Sequence, residues 1–156
     1  KHFDSVREGI MLYGMYPDSE PVENGPLKPV MTLKARVSQV RNLPKGATVS
    51  YGRTYRAEEG ITSAVIPAGY ADGYPRRLSN MGKVFINGKA YNQIGRICMD
   101  VCMADVTGGD VRQGDEAILF GRGGMSIEAV AQIVGTINYE LTCLVTERAN
   151  RVYVNN

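Results

Sequence analysis

The stretch Gln93 to Val106 reads Gln-Ile-Gly-Arg-Ile-Cys-Met-Asp-Val-Cys-Met-Ala-Asp-Val and concentrates side chains able to do chemistry. Arg96 and Asp100 bracket one Cys-Met pair, Cys98–Met99, and a second pair follows at Cys102–Met103. A guanidinium is a forked donor suited to carboxylates and phosphates, and a thiol beside it is a nucleophile or a pocket lining. Two readings stand side by side: an edge strand whose charges face water, or a pocket lined by Arg96, Cys98, Met99 and Asp100. Tyrosine is the other unusual feature, with nine in a chain that has no tryptophan, several of them beside glycine: Tyr51-Gly52, Gly69-Tyr70 and Gly73-Tyr74. Such a ring either packs on bare backbone or presents a phenol at a pocket mouth, where it can donate or accept a proton. Gly121-Arg122-Gly123-Gly124 precedes a helix and could cradle a phosphate. It lacks the Gly-Lys-Ser/Thr of a P-loop, and a plain strand-to-helix turn accounts for it better. Cys98 and Cys102 are spaced C-x3-C, with only Cys143 and His2 as further soft ligands, so no zinc site is expected.

Short strands must position these groups. Met15 to Pro29, with four prolines, reads as a linker. From Met31 to Leu43 apolar and polar residues alternate, predicting one long strand with Met31, Leu33, Ala35 and Val37 on its buried face and Val40 further along. Pro44-Lys45-Gly46 turns the chain into a short strand over Thr48–Gly52, and Ile61–Pro67 is a continuous apolar strand. Val84–Ile86 and Lys89–Tyr91 flank Asn87-Gly88, the strongest hairpin signal in the chain. A strand around Met99 follows, half-buried through Val101, Met103 and Ala104 and ending at Asp105. Thr107–Asp110 is a turn, and Asp115–Phe120 is another strand. Ser126 caps a helix on which Ile127, Val130, Ala131 and Val134 recur at helical spacing, with Glu128 in its first turn. A second short helix is expected from Asn138 to about Val145, and a last strand over Arg151–Val154. The pattern predicts a mostly β chain, a small β-barrel or sandwich with two short helices at one end.

At 156 residues the chain is the size of one ordinary domain. Eighteen basic and sixteen acidic residues give a net charge of +2, too balanced to point to nucleic acid or an anionic membrane. No apolar run reaches the roughly 20 residues of a membrane span. Three cysteines, an odd number, argue against a disulfide framework and for a reducing, cytoplasmic setting. Lys1-His2-Phe3 opens without Met, and Val6–Gly14 reads as the end of one element and the start of another, as in a piece of a larger enzyme.

Five segments occur in a telling order: Val6-Arg7-x-Gly9-Ile10-x-Leu12-Tyr13-Gly14, Val49-Ser50-Tyr51-Gly52, Gly69-Tyr70-Ala71-Asp72-Gly73, Gly95-Arg96-Ile97-Cys98-Met99-Asp100 and Thr136-Ile137-Asn138-Tyr139-Glu140. In order and spacing the chain closely resembles the C-terminal part of bacterial alanine racemases along essentially its whole length. The resemblance implies a homodimeric, pyridoxal-phosphate-dependent enzyme that makes D-alanine for the cell wall, each subunit a (β/α)8 barrel followed by a mostly β domain. Residues 1–14 would be the end of that barrel and 15–156 the β domain. Tyr51 matches the tyrosine that serves as one of two bases, reaching into the other subunit's site. Cys98 and Met99 match residues lining that site, the Met99 amide near the substrate carboxylate. Arg7 matches the arginine facing the cofactor's pyridine nitrogen, and Gly9, Ile10 and Tyr139 match groups around its phosphate. Tyr70, Arg96, Asp100 and Ile137 match positions along the access corridor.

The implied chemistry suits these residue types. Racemisation removes a proton from one face of Cα and delivers one to the other, so two bases are needed. A free phenol titrates near ~10, so a phenol acting as base near neutral pH needs a cationic or hydrogen-bonding neighbour; in the family this is a barrel histidine, which has no match here. An arginine keeps its protons, so opposite the pyridine nitrogen it leaves the cofactor a weaker electron sink, which favours reprotonation over transamination. The cofactor-binding lysine and the barrel arginine for the carboxylate likewise have no match in these residues, so the chain alone is expected to be half a site and inactive. The alternatives are a serine or broad-specificity amino-acid racemase domain and, from another class, a self-contained β-barrel module that binds a ligand through its tyrosine-rich loops.

Overall fold

The alternation from Met31 to Leu43 is interrupted in space though not in sequence. In the computed structural model, which describes residues 4–17 and 27–154, it forms two strands, β1 (Thr32–Arg36) and β2 (Gln39–Leu43). The hinge is Val37–Ser38. The Val37 amide donates to the Asp115 carbonyl at 2.9 Å, whereas the Ser38 amide and hydroxyl both turn to the Val65 carbonyl, at 2.9 and 3.0 Å. Both residues keep ladder-like bonds, but to different partners. A period-two pattern cannot tell a straight strand from one bent between two neighbours, and so the single predicted strand becomes two.

Five further strands complete the main sheet: β5 (Ile61–Ile66), β6 (Lys83–Ile86), β7 (Lys89–Ile94), β8 (Cys102–Asp105) and β9 (Glu116–Gly121). The short strands β3 (Thr48–Val49) and β4 (Tyr55–Arg56) form a separate two-stranded ribbon. The order across the main sheet is β1-β9-β6-β7-β8-β5-β2, every pair antiparallel. Its two edges are therefore consecutive in the chain. In a flat sheet of this order they would stand about 28 Å apart, six spacings of roughly 4.7 Å. The step from Arg36 to Gln39 spans at most about 11 Å at ~3.8 Å per Cα. The sheet must curl, and it forms a half-barrel.

Val37, Ala64, Ile66, Val84, Ile86, Ala104, Ala117 and Leu119 fill the inside, and helix α1 (Ile127–Val134) covers it with Ile127, Val130, Ala131 and Val134. Ser126 caps α1, its hydroxyl accepting from the Ala129 amide at 3.1 Å. Helix α2 (Asn138–Leu144) follows. The Asn87-Gly88 hairpin is as expected, both residues having positive φ (52° and 75°), as a type I′ turn requires.

The differences from expectation are local. Met99 is in a loop, because β8 begins only at Cys102. Residues 151–154 form no strand and are exposed. β3 ends at Val49, and the chain then makes a tight turn over Tyr51–Arg53. The expected linker is anchored where it starts: Met15 is fully buried and the Tyr16 carbonyl accepts from Asn138 Nδ2 at 3.0 Å. The middle of that linker, residues 18–26 with Pro21 and Pro26, lies outside the described residues, as do Lys1, His2 and Phe3. Among the described residues no helix is long and apolar enough to cross a membrane, and no cluster of His, Cys, Asp or Glu could hold a metal ion.

Candidate functional site

The loop between β7 and β8, residues 95–101, carries Arg96, Cys98, Met99 and Asp100, and a buried glutamine fastens it. Gln93, 1% exposed, donates through Nε2 to the Ile94 and Gly95 carbonyls (3.0 and 2.9 Å), and its Oε1 accepts from the Asn80 amide at 2.7 Å. Asn80 Oδ1 in turn accepts from the Gly95 amide at 2.6 Å, and Ser79 Oγ from the Ile97 amide at 3.0 Å. The buried Gln93 amide, satisfied at both its oxygen and its nitrogen, thus ties the end of β7, the start of the loop and the Asn80 backbone together.

A second turn lies directly against this loop. The Tyr70 and Ala71 amides donate to the Cys98 and Met99 carbonyls, each at 3.0 Å. The approach requires glycine at position 69, since a Cβ there would stand 2.2 Å from the Cys98 oxygen and 2.4 Å from that of Met99. Asp72 closes the turn by accepting from the Gly69 amide at 2.8 Å. Arg148, beyond α2, pairs with Asp72 at 3.2 Å and Asp100 at 2.5 Å, tying turn and loop together at the rim.

Tyr51 arrives from the β3–β4 ribbon. The preceding residue, Ser50, has φ 64° and ψ −175°, a backbone region that is essentially glycine-only and costs of order 1–3 kcal/mol for other residues. Its hydroxyl donates to the Arg96 carbonyl at 2.6 Å and lies 3.2 Å from Cys98 Sγ. Across the turn, a Cβ on Gly52 would stand 3.2 Å from Arg96 Nε. The ribbon tip is thus seated on the 95–98 loop, and Tyr51 is left 75% exposed.

These three segments enclose a cleft of about 840 Å³ whose lining includes Tyr51, Tyr70, Arg96, Cys98, Met99 and Asp100. The pocket reading of the 96–100 stretch therefore describes the geometry better than the edge-strand reading. Ser50 and Arg76 also line the cleft, without having been singled out for a role in the sequence. Tyr74, the third tyrosine beside glycine, is a core ring. It is wholly buried with its hydroxyl unpaired, and burial pushes its phenol far up, out of reach of proton transfer near neutral pH. Cys102 beneath the loop is likewise held as a thiol by burial, with Cys98 and Asp72 adding to the effect. The Gly121–Gly124 segment is a turn closed by bonds from the Gly121 amide to the Met125 carbonyl (2.7 Å) and from the Gly124 amide to the Gly121 carbonyl (3.0 Å).

The other expected site residues form a separate group. Ile10 is buried and anchors the short turn Ile10–Tyr13 to the core, while Arg7 is exposed. Gly9 faces Tyr139, on the first turn of α2: a Cβ on Gly9 would lie 3.8 Å from the tyrosine hydroxyl. With no side chain at Gly9, its backbone is open beside a phenol, a donor set that fits the phosphate of a cofactor such as pyridoxal phosphate. Ile137, just before α2, is exposed and outside the cleft lining.

A model of the alanine racemase C-terminal domain family matches residues 30–153. The alanine racemase of Carboxydothermus hydrogenoformans is 51% identical, over 98% of this chain and 43% of that protein. That of Clostridium novyi is 46% identical, over 99% of this chain and 41% of that protein. The chain therefore spans less than half the length of the curated relatives it matches. Among solved structures, alanine racemase of Clostridium difficile 630 in complex with cycloserine superposes with a TM-score of 0.89 at 41% identity, covering 95% of this chain and 40% of that one. Alanine racemase of Bartonella henselae, with covalently bound pyridoxal phosphate, gives 0.86 at 36% identity, over 94% of this chain and 40% of that one.

Proposed function

The chain belongs to the alanine racemase C-terminal domain family, and on that footing we propose that it serves a pyridoxal-phosphate-dependent alanine racemase by supplying the tyrosine base Tyr51 to a partner subunit's site. The observation that carries this reading is the cleft, in which Tyr51, Tyr70, Arg96, Cys98, Met99 and Asp100 converge from three separate segments. Tyr51 stands at the tip of the β3–β4 ribbon and faces outward, as a base offered to a site assembled with another subunit would.

The residues then divide the task. Tyr51 takes or returns the proton on one face of the substrate Cα, the opposite face being served by a base on the barrel. The Met99 amide holds the substrate carboxylate, and Cys98 lines the floor beside it. Tyr70, Arg96 and Asp100, with Ile137, form the corridor through which the amino acid arrives. Arg7, Gly9, Ile10 and Tyr139 would hold the cofactor, the last three around its phosphate and Arg7 at its pyridine nitrogen. The bound cofactor supplies the electron sink that makes the Cα–H bond acidic. Arg7 hydrogen-bonds that ring without giving it a proton. The Tyr139 ring occupies space beside a small side chain, which favours alanine over serine. Residues 1–14 are assigned on this reading to the end of the preceding barrel, and 15–156 to the β domain. The enzyme is a cytoplasmic homodimer on this reading.

Replacing Tyr51 with Phe in the full-length enzyme removes one hydroxyl and leaves the packing intact. Turnover of L- and of D-alanine should both fall by roughly 100-fold or more, the usual size of a general acid–base contribution, with cofactor absorbance and melting temperature held. Near-normal turnover in either direction removes Tyr51 from this role.

A further inference from the structure

The residue before the proposed base has a backbone conformation that favours glycine, yet it is a serine. Ser50, at φ 64° and ψ −175°, is one of four non-glycine residues with positive φ among those described, and it lines the cleft. What holds it there is visible on both sides. Its hydroxyl donates to the Arg96 carbonyl at 2.6 Å, and Cys98 Sγ lies 3.2 Å from the Ser50 oxygen and 3.6 Å from the same carbonyl. Gly95 presses from below: a Cβ there would stand 2.8 Å from the Val49 oxygen and 3.1 Å from the Ser50 Cβ. Glycine at position 50 would relieve the backbone but could not make the hydroxyl bond. Alanine would keep the strain with nothing to restrain it.

We propose that Ser50 is a positioning residue for Tyr51: its hydroxyl clamps a strained backbone turn to the loop that lines the substrate site, and so fixes where the phenol stands. The inference rests on the proposed role of Tyr51. Because Ser50 is bound to the Arg96 carbonyl and touches Cys98, the proton-transferring group and the substrate-lining loop keep one relative geometry. A displacement of about 1 Å in such a geometry is enough to cost up to 100-fold in rate. The effect belongs to the chemical step, since Ser50 adds no contact that the substrate carboxylate needs.

The test uses the full-length, cofactor-loaded enzyme with Ser50→Ala, Ser50→Gly and Tyr51→Phe, rates being counted per loaded site. Ser50→Ala should lose about 10-fold or more in kcat with KM for alanine little changed. Ser50→Gly, which relaxes the strain and should fold and load normally, should lose less but remain clearly below the parent enzyme. The α-deuterium isotope effect should rise in the one direction in which Tyr51 removes the proton, a signature that a purely structural role would not produce. Parent-level kcat per loaded site in Ser50→Gly, with no isotope asymmetry, overturns the inference even if Ser50→Ala fails to fold. Tyr51→Phe separates the two levels. If it remains active, the assignment of Tyr51 falls, and Ser50 with it; if it is inactive while the Ser50 variants turn over normally, only the Ser50 inference falls.

Discussion

An arginine opposite a pyridine nitrogen is an electronic choice as much as a steric one, and Arg7 tests it. Its side chain is exposed in the structure, so it can be exchanged without opening the core. With Arg7 at the ring nitrogen as proposed, Glu in its place would put a carboxyl group against that nitrogen and favour the protonated ring, a stronger electron sink. The full-length Arg7→Glu enzyme should racemise more slowly, show a long-wavelength absorption band under saturating alanine, and transaminate more often per turnover. If the arginine only anchors the domain junction, the variant loses stability or cofactor affinity with no such band; a spectrum of folded, loaded protein decides. At this scale the sequence was informative wherever a residue type carries its own chemistry. Arg96, Cys98, Met99 and Asp100 were legible as a group, Tyr51 was added by the family resemblance, and all five line one cleft. Ser50 and Arg148 were not, for physical reasons. The contribution of Ser50 lies in a torsion angle that no composition displays. That of Arg148 lies in a pairing to Asp100 across 48 residues of chain.

The turn after Gly69 and the loop before β8 are two elements pressed backbone to backbone, and the contact has a measurable cost of disturbance. In Gly69→Ala the new methyl would collide with the Cys98 and Met99 carbonyls, which accept from Tyr70 and Ala71. Overpacking of this kind destabilises by about 1–3 kcal/mol. It should also lower turnover, since it moves Met99. Gly60→Ala is the control: its Cβ would meet only the Leu43 carbonyl, at an ordinary 3.8 Å, and its stability should stay within about 0.5 kcal/mol of the parent. Denaturant titration of the two variants, with alanine turnover measured alongside, checks both. Elements signalled by a local requirement were the legible ones. Asn87-Gly88 announces a type I′ turn because both residues adopt positive φ, and Ser126 announces α1 because its hydroxyl meets the Ala129 amide. The bend at Val37–Ser38 and the absence of a strand over Arg151–Val154 depend on which neighbour is available, and alternation of residues is silent about that.

At the scale of the whole molecule, the cleft leaves three large apolar residues in the open: Tyr51 at 75%, Met99 at 51% and Tyr70 at 42%. Among the described residues no lysine lines the cleft. A protein made of residues 1–156 alone should therefore neither bind pyridoxal phosphate tightly nor racemise alanine; an absorption band from bound cofactor together with alanine turnover in that purified protein would refute this. The mostly β class, a barrel or sandwich with two short helices, was legible, since short strands at close spacing bury one face by curling or by stacking. Its strand order was not, because pairings such as Thr32 with Gly121 join the two ends of the pattern. That pairing has a consequence for synthesis. β9, last of the sheet to be translated, fits between β1 and β6, both of which were made long before it. Until Glu116–Gly121 has cleared the ribosome, β1 has no neighbour in the sheet and β6 is bonded on one side only. The nascent chain therefore exposes two unpaired ladders, the kind of surface that recruits strands from other chains. Pairing that waits for distant sequence is also slow to form. Arrest of translation just before residue 116 should produce the most aggregation-prone intermediate on the path to this fold.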